Sequence, residues 1–222
     1  MKVVSSWSGG KDSCLACYQA MQQGHEVCYL VNFRQEDGTR TMSHGLDSNL
    51  IGLQSQEAGI SLLQRNTTWQ TYEEVFKNVM LEVHREGIKG GVFGDIDLQQ
   101  HRDWVERVCA EVDIEPVLPL WKKERLAVLH EFIQAGFEAV VVSTRGKVMG
   151  PEWLGRNINQ QFILDLMELQ KTVDLDLCGE AGEYHTFVTA GPLFKSRIKI
   201  TLAQPVLREE YWFADILGYE VE

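Results

Sequence analysis

Two hydrophobic periods alternate along the first half of the chain. Short, largely apolar runs predict strands at Val3–Trp7, Glu26–Asn32, Ile60–Gln64 and Gly91–Gly94, with an edge strand near Pro116–Val117. Helical spacing falls between them, at Cys14–Gln23, Leu46–Ala58, Tyr72–Glu86 and Gln99–Val112. In the third of these helices Val75, Phe76, Val79, Met80 and Val83 make one apolar face. Strands that alternate with helices imply a parallel sheet with helices covering it. Such sheets bind ligands beyond the carboxyl ends of their strands. The loops Ser8–Ser13, Asn32–Ser43 and Gly94–Asp97 fall there.

The pattern shifts near Pro119-Leu120-Trp121. A helix at Glu124–Ala135, a strand at Ala139–Ser143 and a helix at Gln160–Gln170 follow. After Lys171 the chain turns loop-rich and then β-rich, at Thr186–Thr189, Ser196–Leu202 and Tyr211–Ala214. This reads as two domains, residues 1–120 and a smaller α+β domain at 121–222. No internal repeat or low-complexity tract interrupts them.

Composition narrows the setting. The chain has 222 residues, 44% hydrophobic and 24% charged, which is ordinary for a globular protein with a substantial core. No apolar run approaches the ~20 residues of a membrane span, and no basic-then-apolar leader opens the chain, so a cytoplasmic location is expected. The net charge of −11 disfavours nonspecific nucleic-acid binding, which needs Lys and Arg to neutralise phosphates. Five cysteines, an odd number, disfavour a disulfide framework. Cys14-x-x-Cys17 resembles a redox or metal pair, but it falls inside a helix with no second pair, which favours two small packing residues.

The first chemical motif is Ser8-Gly9-Gly10-Lys11-Asp12-Ser13, between a strand and a helix. The glycines let the backbone curl so that consecutive N–H groups face one point. The helix adds the positive end of its dipole, and Lys11 a mobile charge. That combination suits nucleotide phosphates. Lys11 is followed by Asp12 rather than by Ser or Thr, so this is not a Walker A loop, and Gly-x-Gly-x-x-Gly is absent. Ser8 and Ser13 can donate hydroxyl hydrogen bonds. Asp12 either caps the helix or holds magnesium.

Other polar groups follow predicted strands. Gly94 permits close approach, and Asp95 or Asp97 could orient magnesium or cap the next helix, with capping favoured for Asp97. Arg102 could meet a phosphate or a carboxylate, with a surface ion pair as its competitor. Ser43 and His44, followed by Gly45, could shape a nucleotide pocket, with a helix start as the alternative for Ser43.

A second dense segment runs from Cys178 through Gly179, Glu180, Ala181, Gly182, Glu183, Tyr184 and His185 to Thr186. Two glycines bracket a turn and two carboxylates stand three apart. Glu180 or Glu183 could bind magnesium or take a proton from an incoming amine. Cys178 has no evident base partner and reads as structural. Trp121, Trp153 and Tyr184 could hold a cationic ligand on their rings, although core packing is favoured for each.

The opening motif resembles the PP-loop of the ATP pyrophosphatases. Together with Gly94-Asp95-Ile96, His101-Arg102, Pro119-Leu120-Trp121, Trp153-Leu154-Gly155-Arg156 and the Cys178–Thr186 segment, the chain resembles the diphthine–ammonia ligase family over nearly its whole length. The resemblance implies an α/β fold of the HUP type (adenine nucleotide alpha hydrolase-like) with a smaller C-terminal α+β domain. It implies ATP and Mg2+, ammonia, and elongation factor 2 as the protein that carries the acceptor, diphthine. ATP would give an acyl-adenylate and pyrophosphate, and ammonia would displace AMP. Ser8, Gly9, Gly10, Lys11, Asp12, Ser13, Ser43, His44, Gly94 and Asp95 would bind nucleotide, with Asp12 and Asp95 at the metal. Lys11, Asp12 and Glu183 would be catalytic. Arg102, Trp121, Trp153, Arg156, Gly179, Glu180, Gly182, Glu183, Tyr184 and Thr186 would face substrate.

One departure stands out. The family's last motif often reads Gly-Glu-Gly-Gly-Glu-Tyr-Glu-Thr, whereas Ala181 and His185 replace a glycine and a glutamate here. That variant looks like the bacterial form of the family, and bacteria lack diphthamide, so a bacterial chain would need another carboxylate acceptor. No glutaminase portion is evident, so free ammonium or a separate subunit would supply the nitrogen. A homo-oligomer is compatible with the sequence. The competing readings are a tRNA-modifying PP-loop enzyme and a nucleotide-binding sensor. The acidic charge weakens the first, and the second has no need of the Cys178–Thr186 loop.

Overall fold

A computed structural model describes residues 1–222. From the N-terminus run β1 (Lys2–Ser6), α1 (Lys11–Gln22), β2 (Glu26–Arg34), α2 (Ser48–Ala58), β3 (Ser61–Asn66), α3 (Tyr72–Arg85), β4 (Gly90–Val92), α4 (Gln99–Glu111) and β5 (Glu115–Val117). The five strands form a parallel sheet in the order β3-β2-β1-β4-β5. Parallel neighbours need long crossovers, and the helices supply them. The order reverses beside β1: the chain steps outward through β2 and β3, then returns to β4 on the other side. The loops after β1 and β4 therefore flank the switch point, where such sheets open a crevice.

Burial follows the apolar pattern. Phe76, Val79, Met80 and Val83 of α3 pack with Val4, Val31, Phe33 and Phe93. Leu15, Leu30, Leu50 and Ile51 are also fully enclosed. One expected boundary moves: α2 starts at Ser48 rather than Leu46. Asp47 accepts a hydrogen bond from the Asn49 N–H at 2.8 Å, which satisfies a helix-start donor that Leu46 could not serve. Residues 35–47 stay irregular, with isolated bridges Arg34–Thr41 and Arg40–Asp47.

The later part holds α5 (Arg125–Gln134), β6 (Glu138–Arg145), a short 3-10 turn at Pro151–Trp153, α6 (Gln160–Leu169), β7 (Tyr184–Ala190), β8 (Ile198–Arg208) and β9 (Tyr211–Val221). Its strands make an antiparallel sheet in the order β7-β6-β9-β8. The α/β class and the separate C-terminal α+β region are those expected from the sequence. Phe162 meets Tyr184 edge-on with ring centroids 5.5 Å apart, and Phe132 stacks on Phe137 at 5.2 Å. A cavity of about 380 Å³ lies among Val140, Val142, Ala214 and Ile216, and no candidate site residue lines it.

By contacts the chain divides into two compact units. One comprises Met1–Ser8, Asp12–Ser43 and Asp47–Lys122; the other comprises Gly9–Lys11, His44–Leu46 and Lys123–Glu222. No helix is long and apolar enough to cross a membrane.

Candidate functional site

In the first unit the candidates gather at the sheet's switch point. Ser8 Oγ and Ser13 Oγ lie 3.1 Å apart. Asp12 and Ser13 belong to the first turn of α1, where a negative charge is favoured by the helix dipole. Gly94 follows β4 so closely that a Cβ there would stand 2.9 Å from the Asp12 carbonyl carbon and 3.0 Å from the Ser13 nitrogen. Only glycine lets these two loops meet without displacing the start of α1. Asp95 comes next, its Oδ1 3.2 Å from His101 Nδ1. Burial, and then the Asp95 charge, push the Tyr72 hydroxyl up to about 12.

Asp12 and Asp95 offer the hard oxygen donors that magnesium prefers. No group of three His, Cys, Asp or Glu side chains is present. Magnesium commonly takes one or two carboxylates and completes its shell with water and substrate phosphates, so each carboxylate is of a chemistry that suits it.

Several expectations in this unit change. Arg102 Nε donates to Glu106 Oε1 at 2.6 Å, and its guanidinium lies 4.9 Å from the Trp121 ring centroid. Arg102 thus makes the surface ion pair that stood beside a ligand role, and it lies over the Trp121 ring. Asp97 does not cap α4: Leu98 takes the cap position. Ser43 does not start α2, because Asp47 has that role. Cys14 and Cys17 are buried free thiols. Burial, the largest cause, raises both, Cys17 to about 12, which marks them as packing residues.

The second unit brings together residues far apart in sequence. Gly9, at φ +82°, offers its carbonyl to the Val188 N–H at 2.9 Å, and the Lys11 N–H donates to Thr186 Oγ1 at 2.9 Å. The Lys11 ammonium is buried. It donates to the Cys178 carbonyl and stands 5.1 Å from the Tyr184 ring centroid. His44 Nδ1 meets the Thr186 carbonyl at 3.1 Å, and its ring stacks on His185 at 4.6 Å between centroids. A Cβ on Gly10 would fall 2.5 Å from His44 Cε1. Burial, then the His185 and Lys11 charges, hold His44 well below the usual imidazole range; burial and Lys11 bring His185 down to about 4. Both rings are therefore neutral at pH 7.

Two positive-φ glycines shape the Cys178–Thr186 loop, Gly179 at +74° and Gly182 at +82°. Gly179 also has no room for a Cβ, which would stand 2.7 Å from the Tyr184 carbonyl oxygen. Tyr184 OH donates to the Leu177 carbonyl at 2.7 Å, and Cys178 Sγ to the Arg125 carbonyl at 3.2 Å. Cys178 is buried, in keeping with a structural thiol. Glu180 lies in the turn between the two glycines and is half-buried.

Glu183 is the unusual group. It is only 4% exposed, its Oε1 accepts from the Asp176 N–H at 3.1 Å, and its Oε2 accepts no hydrogen bond. A buried carboxylate oxygen without a donor is costly and calls for a functional explanation.

Trp153 and Arg156 pack on each other. Arg156 lies 4.3 Å over the Trp153 ring and 5.6 Å over Phe162, and it pairs with Asp165. Trp153 is buried edge-on to Phe162 at 5.7 Å. Sequence reasoning missed Asp176 and Arg145, which both reach Glu183. The available signal for Arg145 was a positive charge closing a buried apolar strand.

Comparison with known proteins agrees along the whole length. The model of the diphthamide synthase N-terminal domain matches residues 1–116, and that of the diphthamide synthase C-terminal domain matches 124–221. The diphthine–ammonia ligase of Danio rerio is 31% identical, over 97% of this chain and 92% of its own. Those of Rattus norvegicus and Homo sapiens are each 28% identical, over 97% of this chain and 89% of theirs. A solved structure described as a predicted subunit of tRNA methyltransferase from Methanocaldococcus jannaschii aligns with a TM-score of 0.45 at 14% identity. It covers 86% of this chain and 97% of that one.

Proposed function

The chain belongs to the diphthine–ammonia ligase family, a family of enzymes, and from that premise we propose that it is an ATP-dependent, amide-forming ligase that works through an acyl-adenylate. The acceptor is a carboxylate: diphthine on elongation factor 2, or an analogue of it where the organism makes no diphthamide. A carboxylate resists ammonia because its oxygen leaves poorly, and adenylation converts that oxygen into part of AMP.

In the first step a carboxylate oxygen attacks the α-phosphorus, the bond to the β-phosphate bridging oxygen breaks, and pyrophosphate leaves. Attacker and phosphorus must be held about 3–3.5 Å apart and in line. Ser8, Ser13 and the start of α1 are suited to the phosphate charge. Lys11 donates to the Cys178 carbonyl, and its ammonium is a point charge of the kind that suits a phosphate. Asp12 and Asp95 would hold magnesium, which would supply charge neutralisation at the phosphates.

In the second step ammonia attacks the acyl carbon, the C–N bond forms and the C–O bond to AMP breaks. The nitrogen must then lose a proton. The observation that carries this reading is Glu183, a buried carboxylate with one oxygen anchored and the other free to accept that proton.

The test uses purified protein with ATP, magnesium chloride, ammonium chloride and diphthine-bearing elongation factor 2. AMP, pyrophosphate and amide in equal amounts support the reading; ADP as the nucleotide product overturns it. Glu183→Gln should lower amide formation by about 10²-fold or more, the usual worth of a positioned general base.

A further inference from the structure

Arg145 closes β6, and two of its atoms make three contacts with the Glu183 loop. Its backbone N–H donates to the Glu183 carbonyl at 2.8 Å. Its Nη2 donates to the Ala181 carbonyl at 2.7 Å and also lies 3.8 Å from Glu183 Oε1. From another side the Asp176 N–H reaches the same Oε1 at 3.1 Å, and Asp176 is itself paired with Arg125. Oε1 is thus engaged by two groups and Oε2 by none.

A guanidinium beside a carboxylate ordinarily closes a two-pronged fork that satisfies both oxygens. Here Nη2 is committed to Ala181, Arg145 Nε is buried without an acceptor, and the fork stays open. An open fork leaves one unmatched donor on Arg145 and one unmatched acceptor on Glu183. Neither is expected in a pair that serves only stability.

We propose that Arg145 is a positioning residue for Glu183: it fixes the Glu180–Glu183 turn and holds the carboxylate by one oxygen, so that Oε2 stays free for the proton of the incoming ammonia. This rests on the ligase reading above. The proton moves from the nitrogen of the ammonia adduct to Oε2 as the C–O bond to AMP breaks and AMP departs with the bridging, former carboxylate oxygen. Lysine in place of Arg145 keeps the charge, but its ammonium lacks the planar, pre-organised guanidinium geometry, so it should hold the Ala181 carbonyl and Glu183 less firmly.

The experiment separates the two halves of the reaction in Arg145→Ala and Arg145→Lys, with diphthine-bearing elongation factor 2 as acceptor. Acceptor-dependent exchange of labelled pyrophosphate into ATP should stay within about twofold of wild type, while amide formation at saturating ammonium falls about 10²-fold in Arg145→Ala. Arg145→Lys should recover part of the loss. Hydroxylamine, largely unprotonated at neutral pH and less in need of a base, should narrow the gap between Arg145→Ala and wild type. Equal losses in both half-reactions, or full amide formation by Arg145→Ala, overturn the proposal.

If wild type itself forms no AMP, the ligase reading fails separately. The positioning claim is then read from the folded proteins by mass-spectrometric mapping of carbodiimide labelling. Arg145→Ala should label Glu183 several-fold faster than wild type, and equal labelling overturns the claim.

Discussion

β2 and β9 are both long strands rich in apolar residues, yet they are used in opposite ways. Leu30, Val31, Asn32 and Phe33 of β2 are buried in succession, while β9 has no buried position. β2 lies inside a parallel sheet with crossover helices, so its central run of side chains is enclosed. β9 runs beside β8, an edge strand of an antiparallel sheet, and Leu202 and Leu217 of this hairpin are 56% and 55% exposed. An apolar residue therefore carries stability only where the topology supplies a second layer.

The largest expected effect tests the buried side of this contrast. Leu30 has no exposed surface. Leu30→Ala removes three buried carbons and leaves a cavity, so a loss of about 3 kcal/mol in urea unfolding is expected. A loss under about 1 kcal/mol would mean that the parallel sheet is no better packed than the hairpin.

The next effect belongs to polar burial in the second unit. His185 titrates near 6.5 when unfolded and near 4 when folded. The unfolded chain thus takes a proton first as the pH falls. The contribution is present above about pH 6.5 and is lost as the pH drops toward 4. Between pH 7 and pH 5 this one group should cost about 2 kcal/mol. His185→Gln removes its share of the slope, so stability measured at both pH values should change less in the variant than in wild type. An unchanged slope would place His185 in water rather than against His44.

Much of this was legible, and the failures have physical causes. The five parallel strands and four helices of the first unit could be placed because continuous apolar runs and a 3.6-residue period are local signals. The face Phe76, Val79, Met80 and Val83 is one example. β8 and β9 were cut short, at Leu202 and Ala214, because Pro205, Asp215 and Gly218 look like interruptions. Pro205 is tolerated because β8 is an edge strand with one side unpaired. The Cys178–Thr186 loop stood out by its density of glycines and titratable groups. Arg145 did not, because its meaning depends on β6 pairing with β7, which sets Thr144 opposite Tyr184. The contact between Trp153 and Arg156 was hidden for a related reason: only the fold brings the two side chains together.

A local device separates fold from topology at a smaller scale. Asn159 caps α6, its side chain accepting from the Phe162 N–H at 2.9 Å. Asn159→Ala should cost about 1 kcal/mol in thermal or urea unfolding, as for other caps. A cost near that of Leu30→Ala would show that the 155–158 segment beside β6 depends on the cap as well.

The smallest effect is the sharpest test of what the hairpin's exposed residues are for. Leu217 sits on β9 with more than half its surface in water, so Leu217→Ser removes little that folding had buried. Serine forms strands less well than leucine, but a surface substitution away from caps, cavities and buried polar groups usually stays within about 0.5 kcal/mol. Leu30→Ala and Leu217→Ser both remove apolar atoms from strands, so their ratio measures burial rather than residue type. If Leu217→Ser approached the cost of Leu30→Ala, β9 would have to be covered in solution, and its exposure would no longer distinguish it from β2.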